Sequence, residues 1–125
     1  MIKLVFCARR RSELTREQFS DYWRNHHGPL FQKHAQRYRA LRYVQNHTLR
    51  GPVNDAMRAS RGSAEPYDGV GEIWWQSVDD FLAVVKDPAN VDLRRLFVED
   101  EARFVDLARS AVFFTEEVEF PLLPA

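Results

Sequence analysis

The sequence has little of several residue types that define special classes of protein. It contains one cysteine, Cys7, with 5 glycines and 6 prolines among 125 residues. One cysteine cannot form an internal disulfide or a cysteine-based zinc site, and collagen-like or low-complexity chains contain far more glycine and proline. No apolar run approaches the roughly 18 residues that span a bilayer, and the apolar N-terminal stretch is too short for a signal peptide. We therefore expect a soluble, cytoplasmic protein with no membrane partner.

An excess of either charge sign is also lacking, because 18 Lys and Arg residues balance 18 Asp and Glu residues. This balance does not have the basic excess that is typical of nucleic-acid-binding proteins. The charges are nonetheless divided unevenly: residues 1–61 have 13 basic and 4 acidic side chains, and residues 62–125 have 5 and 14. The two halves should attract each other within one fold. No nucleic-acid partner is expected.

Apolar side chains are abundant. They make up 45% of the residues, and aromatic side chains make up 13%. A chain of this length can bury one core, so we predict a single domain over residues 1–125. Residue patterns predict strands over 2–8, 41–49, 70–76 and 110–120, with helices in the two long intervals and a long polar loop over 51–68.

The element order is β-α-β-β-α-β, which predicts an α+β fold. Two right-handed βαβ halves in this order form a ferredoxin-like sandwich, a four-stranded antiparallel sheet with helices on one face. Three of the predicted strands are apolar on both faces, so the face without helices should also be buried. We expect it to be covered by a second copy of the chain, in a homodimer whose paired sheets form an α/β-barrel.

The first helix contains an interruption with two histidines beside it. It begins at Thr15, which starts a Thr-Arg-Glu-Gln capping box, and Phe19, Tyr22 and Trp23 follow at helical spacing. The pair Gly28-Pro29 predicts a kink, followed by a second helical segment to about residue 37. Side chains just before the kink should face a cavity.

The segment Tyr22–Leu30, YWRNHHGPL, resembles the signature of the EthD family. Further segments resemble those of the family in the same order: Tyr43–His47, Asn54–Asp55, Tyr67–Trp74, Asp100–Asp106 and Thr115–Glu117. The resemblance implies a dimeric α/β-barrel of ferredoxin-like subunits, with one pocket in each subunit between sheet and helices. Relatives in this family and superfamily include oxidoreductases, dehydratases, decarboxylases and cofactor-free enzymes. The chain has no histidine after His47, and it departs in this from the haem-binding branches.

Two residues are the candidate catalytic groups, His27 and Asp100. His27 matches the motif histidine, and an imidazole suits proton transfer near neutral pH. Asp100 lies between Leu96 and Phe97 on the apolar stripe of the last helix, where a carboxylate must be paired or protonated. A structural role remains open for both, a hydrogen bond at the kink for His27 and a salt bridge for Asp100. His26 also falls on the apolar stripe of its helix.

Five residues are the candidate substrate-binding groups: Tyr22, His47, Tyr67, Asp68 and Trp74. Tyr22 is part of the motif, and the other four belong to the later family-like segments. Trp74 and Trp75 should point to opposite faces of their strand, so only one of them can line a given pocket. The four histidines show no spacing typical of a metal site, so no metal is expected.

The leading hypothesis is a small cofactor-free enzyme that acts on an apolar or aromatic, polyketide-like substrate. His27 would transfer a proton with the help of a carboxylate, in a dehydration, isomerisation or decarboxylation. Two alternatives stay open from the sequence. One is an oxidoreductase or monooxygenase-associated step in oxidative catabolism, and the other is a non-catalytic, ligand-binding accessory dimer.

Overall fold

The computed structural model describes residues 1–125, in which four strands form one antiparallel sheet. The elements along the chain are β1 (Ile2–Ala8), α1 (Arg16–Tyr22), a π-helical turn (Trp23–His27), α2 (Gly28–His34), β2 (Arg42–His47), α3 (Pro52–Arg61), β3 (Gly69–Trp75), α4 (Val78–Lys86), α5 (Val91–Glu101) and β4 (Ala111–Glu116). The strand order is β2-β3-β1-β4. The predicted α+β, ferredoxin-like arrangement is confirmed.

Side chains alternate between the two faces of the sheet, as strand geometry requires. On β3, Trp75 packs under the helices with its ring centroid 4.9 Å from that of Phe81 on α4. Its neighbour Trp74 points to the opposite face, where the cations of Lys3 and Arg42 lie 5.2 and 4.6 Å from the centre of its ring. The prediction that the two tryptophans point in opposite directions is correct.

The buried side chains form two separate clusters between the sheet and the helices. One cluster contains Phe31, Tyr38, Trp75, Val84, Leu93 and Phe97. The other contains Ala8, Phe19, Trp23, Phe104 and Val105. Phe19 and Trp75 are at most 1% exposed, so each cluster has a fully buried aromatic centre. The space between the two clusters contains the cavity described below.

The first helix begins as predicted, but it does not break at Gly28-Pro29. Thr15 and Gln18 form the reciprocal capping box, with hydrogen bonds of 2.9 and 3.1 Å. A π-helical turn over Trp23–His27 carries the chain into α2, and Gly28 keeps right-handed helical dihedrals (φ −57°, ψ −53°). The amide of Gly28 donates to the carbonyl of Trp23, five residues earlier. A π-turn thus connects the two helical segments, and the backbone stays helical through Gly28 and Pro29.

A close approach of β2 to this turn explains why residue 28 is a glycine. The side-chain amide of Gln45 donates to the carbonyl of Trp23 over 2.9 Å. A Cβ atom at position 28 would lie 2.7 Å from Nε2 of Gln45, which is closer than real Cβ contacts come. The glycine therefore provides room for a hydrogen bond between the sheet and the π-turn.

The predicted loop over residues 51–68 was wrong in its first half, because it contains α3. Gly51, at φ +105°, turns the chain into Pro52, and Gly62 ends the helix in a left-handed conformation at φ +59°. Proline in the first helical turn and glycine after the last are typical helix boundaries. None of the residues of α3 is buried. The segment therefore showed no continuous apolar pattern and resembled a loop.

Other boundaries also differ from the prediction. The last helix ends at Glu101, and β4 ends at Glu116 instead of continuing to residue 120. Leu96, which the sequence pattern placed on the apolar stripe of the last helix, is 39% exposed. No helix is both long enough and apolar enough to cross a membrane.

Candidate active site

An apolar cavity lies between the sheet and the helices and has two adjoining lobes. Their volumes are about 60 and 230 Å³. The smaller lobe is bounded by Phe6, Trp23 and Phe104, and the larger by Phe31, Trp75 and Phe97. Five residues line both lobes, and two of them are ionisable in the neutral pH range: Leu4, His27, Tyr43, Ile73 and Glu101.

The π-turn brings His27 to the cavity wall. In an α-helix, residues four positions apart differ in direction by about 40° around the helix axis. Over three such steps the difference reaches about 120°, so four residues at this spacing would not all point to one face. Here the four residues at this spacing, Phe19, Trp23, His27 and Phe31, are all buried. A π-turn has more residues per turn, which reduces the drift. His27 is consequently 8% exposed, whereas its neighbour His26 is on the exposed side.

His27 is held in place by Asp100, which is itself held by Tyr22. The Nδ1 atom of His27 lies 2.7 Å from Oδ2 of Asp100, and the Tyr22 hydroxyl donates to Oδ1 over 2.6 Å. An ionised carboxylate only accepts hydrogen bonds, so Nδ1 of His27 carries the proton and donates it. The Nε2 atom of His27 has no protein partner. The structure thus joins three of the residues singled out from the sequence.

Burial keeps this histidine neutral. Desolvation lowers the pKa of His27 below its ordinary value of 6.5, and the hydrogen bond and negative charge of Asp100 oppose part of the change. Burial, followed by the contact with Asp100, raises the pKa of the Tyr22 phenol, which therefore keeps its proton for Asp100. A neutral imidazole with Nδ1 donating presents the Nε2 lone pair as a base. This arrangement is suited to removing a proton from a molecule in the cavity.

Asp100 itself does not line the cavity. Both of its oxygens accept hydrogen bonds from protein groups, and its side chain is 12% exposed. One hydrogen bond, through His27, separates Asp100 from the cavity. Asp100 was a candidate catalytic group from the sequence, but His27 stands between its carboxylate and a molecule in the cavity. Asp100 is therefore placed to orient His27.

Glu101 is a second ionisable group on the cavity wall, and it is not among the candidate residues named from the sequence. It is at the end of α5, one turn after Phe97 and two after Leu93, both of which are buried. Burial, with a contribution from the charge of Asp100, raises the pKa of Glu101 to about 7. Its carboxyl group forms no ion pair and no hydrogen bond with another side chain. The four-residue spacing from Leu93 and Phe97 was the signal in the sequence that could have identified it.

Two of the other histidine predictions need correction. His26 stacks on Tyr22, with ring centroids 5.0 Å apart, on the outside of the helix. His47 points to the helix-covered face of β2, but the ring of Trp23 lies 4.7 Å from it and Trp23 is the residue that lines the cavity. His47 instead bonds Gln45 through Nε2, over 2.9 Å. It therefore packs against Trp23 on the side away from the cavity and does not line the cavity.

Tyr67, Asp68 and Trp74 are also away from the cavity. Asp68 accepts hydrogen bonds of 2.8 and 3.0 Å from the amide and the guanidinium group of Arg10, so its carboxylate is occupied at the end of β1. The ring of Tyr67 lies 4.4 Å from the guanidinium carbon of Arg9. Trp74 is on the opposite face of the sheet. Within one chain, these three residues contact basic side chains at the sheet and do not line the cavity.

The structure contains no group of three or more His, Cys, Asp or Glu side chains arranged to bind a metal ion. The cavity offers one imidazole, one carboxyl group, the phenols of Tyr38 and Tyr43 and the guanidinium group of Arg94, in a mainly apolar wall. Burial raises the pKa of the Tyr43 phenol, so it is neutral across the physiological range. Acid–base chemistry is what these groups can provide.

Fold and site together define a ferredoxin-like α+β protein with a histidine–carboxylate pair beside an apolar cavity. The sequence matches the model of the EthD domain over residues 11–108. The chain belongs to the EthD family. No curated protein matches the sequence.

Several solved structures share the fold. An ethyl tert-butyl ether d (EthD) family protein from Bacillus halodurans has a TM-score of 0.63 at 14% identity, with 94% of this chain and 99% of that chain covered. The protein At3g17210 from Arabidopsis thaliana has a TM-score of 0.58 at 13% identity, covering 98% and 100%. HapK from Hahella chejuensis has a TM-score of 0.57 at 12% identity, with both chains covered completely. At these identities, the likeness shows the fold alone.

Proposed function

We propose that this EthD protein is an acid–base enzyme that uses only its own side chains to transform a small apolar or aromatic substrate. The reaction class is dehydration, isomerisation or decarboxylation, in which proton transfers suffice. The observation that carries the proposal is the free Nε2 atom of a neutral, buried His27, in a cavity that is otherwise mainly apolar. Nε2 of His27 has no protein partner and His27 lines both lobes, so this atom is available to a molecule in the cavity.

The proposed mechanism starts with proton removal by His27. Asp100 fixes the tautomer and orientation of the ring, and its negative charge stabilises the imidazolium that forms when Nε2 takes a proton. Tyr22 in turn holds Asp100. Because the cavity wall is mainly apolar, the negative charge beside the ring has a stronger effect than it would have in solvent. Asp100 is thus a positioning residue, and His27 is the catalytic residue.

The substrate class follows from the walls of the cavity. Aromatic side chains surround both lobes, and the nearest ring to His27 is that of Phe104, with centroids 5.1 Å apart. Such walls favour flat apolar groups. A phenyl ketone has this shape, and its carbonyl group acidifies the adjacent carbon from which a base removes a proton.

We also propose that two copies pair through the face of the sheet opposite the helices. This face combines apolar residues with the paired charges of Lys3 and Glu72, which are 2.7 Å apart. Phe113 lies on it beside Val5 and is 47% exposed. A second copy would bury this surface. It would also cover the residues after Glu116, which follow the edge strand β4.

The direct test of the catalytic role uses 4-hydroxy-4-phenylbutan-2-one, a small β-hydroxy ketone. Dehydration produces a conjugated enone, which is followed by its ultraviolet absorbance. His27→Ala should lower turnover by on the order of 10² to 10⁴, the range for loss of a general base. His34→Ala is the matched control, because His34 is half-buried on α2 and does not line the cavity.

The outcomes separate an enzyme from a binding protein. Turnover by the wild type that is lost in His27→Ala supports the proposal, and turnover that persists in this variant contradicts it. Binding of the ketone without turnover, measured by tryptophan fluorescence, favours a ligand-binding accessory role. Failure to bind the ketone at millimolar concentration contradicts the aromatic substrate class.

A further inference from the structure

We propose that Glu101 is the second catalytic residue of this cavity, the proton donor to an oxygen leaving group, and that the substrates are therefore β-hydroxy carbonyl compounds. This inference rests on the proposed function, since it assigns the acid that complements His27. It adds a requirement that the base alone does not impose. The substrate must carry a hydroxyl group that leaves as water.

The geometry provides two groups with opposite roles on one cavity. His27 reaches it from the π-turn and Glu101 from the end of α5, and both line both lobes. Asp100, the neighbouring carboxylate, cannot take the role of acid toward a ligand, because both its oxygens already accept hydrogen bonds. Glu101 forms none with other side chains. Consecutive helical residues point about 100° apart, which explains how two adjacent acids face different partners.

The groups around Glu101 decide its protonation. Asp100 adjoins it on α5, His27 is across the cavity, and Tyr38 and Tyr43 line the wall with it. Arg94 lies two turns before Glu101 on the same face of α5 and lines the larger lobe, but it forms no ion pair with Glu101. Burial and the negative charge of Asp100 therefore raise the pKa of Glu101 to about 7, while burial lowers that of His27. Near neutral pH, a protonated acid and an unprotonated base can coexist, which is the arrangement that acid–base pairs require.

The proposed step balances without an oxidant or a cofactor. Nε2 of His27 removes a proton from the carbon next to the carbonyl group, and the electron pair of that C–H bond forms the new C=C bond. The C–O bond to the hydroxyl group breaks, and the Glu101 O–H gives its proton to the departing oxygen, which leaves as water. The proton on His27 then returns to Glu101 through solvent, which restores the starting state.

A change of leaving group tests this assignment. The first substrate is 4-hydroxy-4-phenylbutan-2-one, and the second is its acetate ester, whose acetate leaves without being protonated. Glu101→Gln should lower turnover of the alcohol by on the order of 10² or more, and turnover of the ester by less than about 3-fold. His27→Ala should lower both. Glu99→Gln, an exposed carboxylate on the same helix, is the matched control and should change neither.

The outcomes distinguish failure of this inference from failure of the proposed function. Equal losses for alcohol and ester in Glu101→Gln overturn the role of Glu101 as acid, whereas unchanged turnover of both substrates in His27→Ala overturns the proposed function. A second measurement needs no substrate: titration of ¹³C-labelled glutamate carboxyl groups by NMR, with Glu101→Gln to assign the signal. A Glu101 signal that titrates in the ordinary glutamate range overturns the inference, whatever the turnover results.

Discussion

Replacing Glu101 by glutamine should stabilise the protein, and by more as the pH rises. The physical reason is the cost of ionising a carboxyl group inside an apolar cavity. In the folded chain the pKa of Glu101 is raised from 4.5 to about 7. Between these values the folded state binds more protons than the unfolded state, so the free energy of unfolding falls as the pH increases through this range. Above about pH 7 the full cost is present.

The magnitude follows from the two pKa values. Each pKa unit corresponds to about 1.36 kcal/mol, so ionisation of Glu101 destabilises the folded wild type by roughly 3 kcal/mol at high pH. Near pH 5 the acid is mostly protonated in the folded state, and the cost is below about 1 kcal/mol. Glutamine has a similar shape and never ionises. The advantage of Glu101→Gln over the wild type should therefore grow by roughly 2 kcal/mol between about pH 5 and pH 8.5.

Urea denaturation at the two pH values, followed by tryptophan fluorescence at one fixed protein concentration, measures this difference. Both proteins keep His27, so its own titration cancels to first order in the comparison. Glu99→Gln removes a charge from the same helix at an exposed position and should show no pH-dependent advantage. If Glu101→Gln is destabilised equally at both pH values, the carboxyl group does not bear a desolvation cost and the reasoning about the cavity is wrong.

Three further predictions follow from specific contacts. Asp100→Asn removes the charge that supports the imidazolium, so NMR titration should show a lower pKa for His27, and an unchanged value would contradict the pairing. Gly28→Ala should destabilise the protein by roughly 1–3 kcal/mol, although alanine normally improves a helix, because its Cβ would lie 2.7 Å from Gln45 Nε2. Urea denaturation should show that adding Gln45→Ala recovers part of the loss. Phe113→Asp should convert the proposed dimer to a monomer in sedimentation experiments, and a monomeric wild type would refute the proposed pairing.

The local sequence determined the order of the elements and the start of the first helix. Strand alternation, the Thr15 capping box and the apolar stripes depend on residues close together in the chain, so their physics can be read without a structure. His27 and Asp100 could also be identified, because one matched a family motif and the other placed a charge on an apolar stripe. Their direct contact, at 2.7 Å across 73 positions, comes from the fold.

The tertiary structure decided which of the candidate side chains meet. Asp68 was a plausible ligand-binding carboxylate until the fold placed Arg10 beside it, and His47 is screened from the cavity by Trp23. Glu101 was not singled out from the sequence, because it lies to one side of the apolar stripe that contains Leu96 and Phe97. Helical periodicity gives the direction of a side chain, but the burial that changes its pKa depends on elements far away in the sequence. The raised pKa that makes Glu101 a candidate acid therefore depends on the sheet and the π-turn, which the periodicity of α5 does not describe.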